Sequence, residues 1–135
     1  MTLAAANLPP VDHAPTLEEV RRAWRGWTLA LEGHPFVSVA DLFGEIERGE
    51  AQWWRGALSD VFSRISPGAA GPVLELGPVS GDVAEMIADL LPRVEAFGRS
   101  RGCVEIFIQG GRQAWSRALR PHGFEEAAVI LRKAL

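Results

Sequence analysis

The sequence predicts an α/β chain (α+β in stricter usage) in which a mixed, mostly antiparallel sheet is flanked by about four helices. Three observations predict it. Residues 16–48 carry apolar side chains at three- and four-residue spacing. From residue 51 the pattern changes to short apolar or alternating runs separated by glycine, proline and serine. After residue 82 a long helical period stands between two strand-like runs, and strand, helix, strand in succession implies a crossover and a parallel pair.

The elements follow in order. Residues 1–15, with the proline-rich "NLPPVDHAPT", read as an extended N-terminal segment. Thr16 is a good N-cap with Glu18 and Glu19 in the first turn, where the helix dipole favours acids. Leu17, Val20, Trp24, Trp27 and Leu31 form the apolar stripe of the first helix, which "EGHP" ends, with Gly26 in its interior. Ser38 caps a second helix with a stripe of Val39, Leu42, Phe43 and Ile46, and Gly49 stands just past its end. Strands are predicted near Ala51–Gly56, Asp60–Ser66 and Pro72–Leu76, with "SPGAAGP" as a loop, and their short connections make an antiparallel meander. "DVAEMIADLLPRVEAFGRSRG" is the strongest helix: Val83, Ile87, Leu90, Leu91, Val94 and Phe97 share a face, and Pro92 should kink or divide it. "CVEIFIQG" reads as a fully buried strand, "GRQAWSRALRPHGF" (111–124) as a last helix stopping at Gly123, and "FEEAAVILRKAL" as a closing strand.

The chain has 135 residues, 47% hydrophobic and 23% charged, which suits a single domain, 1–135, with a real core. A net charge of −3 speaks against a broad nucleic-acid-binding surface, which needs clustered positive charge. One cysteine, Cys103, excludes an intrachain disulfide and a cysteine-rich zinc site; the three histidines (His13, His34, His122) lack ligand spacing, so no metal site is expected. No run approaches the roughly 20 apolar residues of a membrane span, and the opening residues lack the basic start and apolar length of a signal peptide. A cytoplasmic location is the simplest expectation, with no membrane partner.

The strand "VLELG", the glycine-containing turn "PVSGD", the long helix, the strand "CVEIFI" and the helix ending in "HGF", all between Val73 and Leu135, resemble the GNAT superfamily of N-acyltransferases. "GEAQWW" (49–54) and "GRQAWSRALRPHGF" together resemble small GNAT-like proteins of tailed phages, prophages and gene transfer agents. The resemblance implies acetyl-CoA as acyl donor and an amine, on a small molecule or a protein, as acceptor. The alternative it implies is a catalytically inactive GNAT fold used as a binding or virion-associated accessory protein, with phage or gene-transfer-agent structural proteins as partners.

In that superfamily the pyrophosphate of acetyl-CoA rests on backbone N–H groups at the start of the helix after the fourth strand, an anion site made by the helix N-terminus. The resemblance assigns that role to Val79, Ser80, Gly81, Asp82 and Val83 within "GPVSGDV". Pro78 has no N–H, the loop has no arginine or lysine, and Asp82 brings a carboxylate to the phosphates; Ser80 and Asp82 are equally ordinary helix caps. Many GNAT enzymes protonate the leaving thiolate with a tyrosine on the last helix, but this chain has no tyrosine. Leu119 takes that place, with Ser116 and His122 nearby as substitutes, and His122 also suits a helix C-terminus. For the base that deprotonates the amine the candidate is Glu75 on "VLELG"; a structural ion pair is the competing reading, and Glu105 on the next strand is a similar case. Cys103 reads as a small hydrophobe rather than a nucleophile. Adjacent strand residues face opposite ways, so one of Trp53 and Trp54 should lie in the core and the other at the surface or an interface. On the last helix Arg112 is expected to reach acidic groups at strand ends, while Arg117 and Arg120 stay in solvent.

Overall fold

A computed structural model of the protein describes residues 14–32, 37–108, 113–127, 131 and 133–135. Among the described residues two helices come first, and each is started by a reciprocal cap. Thr16 accepts from the N–H of Glu19 while the Glu19 carboxylate accepts from the N–H of Thr16, opening α1 (Leu17–Ala30). Ser38 and Asp41 do the same for α2 (Val39–Glu47). Three strands follow as a meander: β1 (Gln52–Arg55), β2 (Ser59–Ser66) and β3 (Val73–Gly81), antiparallel in both pairings. A helical run in three parts then crosses over: α3 (Val83–Glu85), a π-helical stretch (Met86–Leu90) and α4 (Leu91–Ser100). Pro92 falls in the first turn of α4, where its missing N–H costs least, so the division expected at Pro92 lies immediately before it. β4 (Glu105–Ile108) pairs parallel to β3, giving the order β1-β2-β3-β4, and α5 (Gln113–Leu119) runs into a 3₁₀ turn at Arg120–His122 that left-handed Gly123 ends.

Helices cover both faces of the sheet. On one face Trp54, Val61, Leu74 and Leu76 meet Met86, Leu90, Leu91, Val94 and Phe97, with Leu119 of α5 closing that core. On the other, Trp53 and Phe62 meet Ala23 and Trp27 of α1 and Val39 and Leu42 of α2. Burying each such large side chain contributes about 2–3 kcal/mol before entropy is counted. Trp27 crosses edge-to-face with Trp53 and Phe62, at 5.7 and 6.0 Å between ring centroids.

Four expectations are corrected. Trp53 and Trp54 do point to opposite faces, yet both are buried, because α1 and α2 cover the second face; the exposed tryptophan is Trp24, stacked on Phe43. β3 does not stop at Leu76 but continues to Gly81, so "GPVSG" is strand rather than turn. β4 begins at Glu105, not Cys103, and is half-buried with Glu105 exposed, because α1 and α2 do not reach over it as they do over β1 and β2. Phe124–Ala127 are outside any strand, and residues 128–130 and 132 of the expected closing strand lie outside the described residues, as does Arg112.

Candidate functional site

The strands predicted to carry chemistry meet where β3 leaves its parallel partner. The β3–β4 register runs from Val73↔Glu105 to Leu76↔Ile108, and β3 then continues for five residues. On its other edge β3 carries a bulge: between the pairs Val61↔Val79 and Ser63↔Leu76, β2 advances two residues and β3 three. The extra residue falls in Gly77–Pro78, whose peptide is cis; Gly77 takes φ 130°, open to glycine, and Pro78 has no N–H to leave unpaired.

Glu75 lies two residues before the bulge. Leu74 and Leu76 on either side point into the α3–α5 core, so Glu75 faces the other way, onto the side that carries α1 and α2. Its Oε2 accepts from the Ser66 hydroxyl at 2.6 Å and stands 3.9 Å from Arg64 Nε. Arg64 in turn reaches Glu45 of α2 at 3.5 Å and lies over the ring of Phe62. The ion pair weighed in the sequence is therefore present, but about a third of the Glu75 side chain remains exposed, 32%. Ser66, Arg64 and Glu45 were not foreseen as its neighbours; the signal was the period-2 series Phe62, Arg64, Ser66 on β2, which puts all three on the Glu75 face. Glu105 is exposed, opposite Val73.

The stretch from Val79 to Val83 is occupied by the protein itself. Val79, Ser80 and Gly81 pair with Val61, Asp60 and Ser59. Gly81 has φ 97°, and a Cβ there would run into the carbonyl oxygen of Leu58 and come within 2.7 Å of Ser59 Cα. The Ser80 side chain packs under α1, where a Cβ on Gly26 would be 2.5 Å from its Oγ. Asp82 is the cap: its Oδ1 accepts from the N–H of Glu85 at 2.9 Å, and its own N–H donates to Leu58 O. Glu85, missed in the sequence, accepts from the N–H of Leu58 and the Ser59 hydroxyl. A pyrophosphate at this helix start would meet two carboxylates, with β3 passing into α3 through Asp82 alone. These residues do not fit a phosphate cradle.

Ser116 is exposed on α5, while Trp115 and Leu119 on the same helix turn toward the core. His122 is exposed in the turn after α5, as are Arg117 and Arg120. Cys103 is half-buried, and burial pushes its thiol above the usual range, with Arg101 partly opposing. The most heavily bonded charged pair was also missed. Arg22 of α1 donates to both oxygens of buried Asp60, at 2.9 and 2.8 Å, and to the carbonyls of Gly56 and Ala57. Asp60 also accepts from the indole N–H of Trp53. Arg55 pairs with Glu19 nearby, at 3.1 Å. Nothing local in the sequence marks these pairs; they tie α1 to the β1–β2 hairpin. Among the described residues no group of three or more His, Cys, Asp or Glu could hold a metal, and no helix is long and apolar enough to cross a membrane.

No protein-family model and no curated protein matches the chain. Solved structures do. An acetyltransferase from Trypanosoma brucei superposes with a TM-score of 0.60 at 14% identity, over 91% of this chain and 97% of that one. A predicted acetyltransferase from Clostridium acetobutylicum, solved with acetyl-CoA, gives 0.59 at 12% identity, over 85% and 86%. An aminoglycoside antibiotic 6'-N-acetyltransferase from Acinetobacter haemolyticus gives 0.56 at 14% identity, over 90% and 94%. The chain has the fold of the GNAT acetyltransferases.

Proposed function

We propose that the protein is an N-acyltransferase acting on an amine, of the kind carried by tailed phages, prophages and gene transfer agents, with acetyl-CoA as donor and Glu75 as the base. The observation that carries the reading is the setting of Glu75: a carboxylate about a third exposed on a central strand, beside a bulge, near the end of the β3–β4 pairing. Such a carboxylate can take the proton of an incoming ammonium and leave the amine nucleophilic. The phage kinship rests on "GEAQWW" and "GRQAWSRALRPHGF", whose Trp54, Trp115 and Leu119 all serve the α3–α5 core. No step is assigned to Val79–Val83, and Ser116 is the one hydroxyl on α5 open to solvent that could serve as an acid.

The carboxylates of Asp82 and Glu85 favour a second reading, a catalytically inactive GNAT fold serving as a virion-associated or other binding protein. Calorimetric titration with acetyl-CoA separates the two. Binding, together with acetyl transfer to an amine that slows in Glu75→Gln while binding persists, supports the enzyme. Absence of binding at millimolar acetyl-CoA rejects it in favour of the accessory protein; unchanged turnover in Glu75→Gln removes Glu75 from the chemistry.

A further inference from the structure

The two oxygens of Glu75 are in different situations. Oε2 takes both contacts from β2, the Ser66 hydroxyl at 2.6 Å and the approach of Arg64 Nε at 3.9 Å. Oε1 has no hydrogen-bond partner among the described residues. It is not closed off either: the one buried side-chain polar atom without a partner among the described residues is Arg64 Nε. Opposite Glu75 on β4 stands Phe107, which carries no charge; the other charges on this side are Glu45, reached through Arg64, and Glu105, exposed two pairs earlier.

Building on the reading of Glu75 as the base, we infer that Ser66 and Arg64 are positioning residues that hold Glu75 by Oε2 and present Oε1 to the acceptor. The proton leaves the acceptor ammonium and goes to Oε1, giving a neutral amine and a protonated Glu75. Ser66 keeps the carboxyl from rotating, so the same oxygen faces the acceptor at each turnover. Arg64 stands toward the same oxygen, and its guanidinium is in turn engaged by Glu45.

The test is steady-state acetyl transfer in wild type, Ser66→Ala and Ser66→Thr, with kcat and the KM for the amine read separately and acetyl-CoA binding followed by calorimetry. Ser66 ends β2 and is not deeply buried, so both variants should fold. In Ser66→Ala kcat should fall about tenfold, the size expected for one lost hydrogen bond to a charged group, with the KM for the amine and acetyl-CoA binding unchanged; Ser66→Thr should restore kcat. An unchanged kcat in Ser66→Ala overturns the inference, as does a fall that Ser66→Thr does not restore. A wild-type protein that transfers no acyl group to any amine removes the acyltransferase reading itself, and the inference with it.

Discussion

Replacing Arg22 with methionine should be among the most damaging changes outside the apolar core. Its guanidinium makes two bonds to Asp60, at 2.9 and 2.8 Å, and bonds of 2.8 and 2.6 Å to the carbonyls of Gly56 and Ala57. Methionine keeps an apolar stem of similar length, so what is lost is the charged fork. The Asp60 side chain is 2% exposed, and without Arg22 its remaining side-chain donor is the Trp53 indole at 3.0 Å. Breaking a buried pair by removing one partner costs about 3–5 kcal/mol. The Arg22 side is 28% exposed, so water can partly replace it, and the lower end, about 3 kcal/mol, is expected. For a chain of this size that corresponds to a fall in Tm of about 10 °C. Urea unfolding followed by tryptophan fluorescence measures it directly, since Trp27 and Trp53 both bond to Asp60. Asp60→Asn in the Arg22→Met background removes the stranded charge but keeps an oxygen for Trp53, and should return at least about 1 kcal/mol. A loss below about 1 kcal/mol in Arg22→Met, or costs in the double variant that simply add, would refute the argument that burial of the Asp60 charge sets the penalty.

Three further outcomes are expected. Gly81→Ala should cost at least about 2 kcal/mol in the same urea assay, since it combines a positive φ with a collision against the Leu58 carbonyl. Asp82→Ser keeps the cap but removes a charge from the start of α3; if phosphates approach there, Kd for acetyl-CoA should fall about two- to fivefold by calorimetry, and an unchanged Kd would mean the donor's phosphates lie elsewhere. Asp41 is held below the ordinary aspartate value of 3.8, first by the backbone N–H of Ser38 and then by its hydroxyl. A depressed folded value gives stability that is present above the unfolded value and lost as pH falls through the folded one. The cost of Asp41→Asn should therefore be full at pH 6 and disappear in acid below that range, measured by urea unfolding across pH.

Features that depend on neighbours in the chain were legible in the sequence, and those that depend on a partner strand were not. Thr16 and Ser38 announce their helices because the cap and its reciprocal acid are three residues apart. The crossover from β3 to β4 followed from element order alone. Gly77 and Gly81 misled for a physical reason. In isolation two glycines and a proline within five residues are turn chemistry. Here one glycine absorbs a bulge and the other lets the backbone of Leu58 and Ser59 pass, both demands of β2 lying alongside. Trp53 and Trp54 alternate as the period requires, but whether the second face is wet depends on where α1 and α2 dock, and residue spacing within β1 carries no information about that.

The candidate site repeats the lesson at closer range, because the bulge decides who stands next to Glu75. Beyond the bulge, toward Gly81, β2 and β3 pair as Ser59↔Gly81, Asp60↔Ser80 and Val61↔Val79. Continued without the extra residue, that register would set Ile65 opposite Glu75 and Arg64 opposite Leu76. A slip of one residue turns every side chain to the other face, so the arginine and the carboxylate would have been on opposite sides of the sheet or out of register. With the extra residue in Gly77–Pro78, Arg64 lies opposite Glu75, and Ser66 lies one pair on along the same face, close enough to donate to it. The glycine and proline that read as a phosphate loop therefore act one step back along the chain: they align β2 beneath the carboxylate rather than embrace a ligand. A carboxylate on "VLELG" could be recognised as a candidate from its residues alone, whereas its two holders become visible only once the insertion is counted into the pairing.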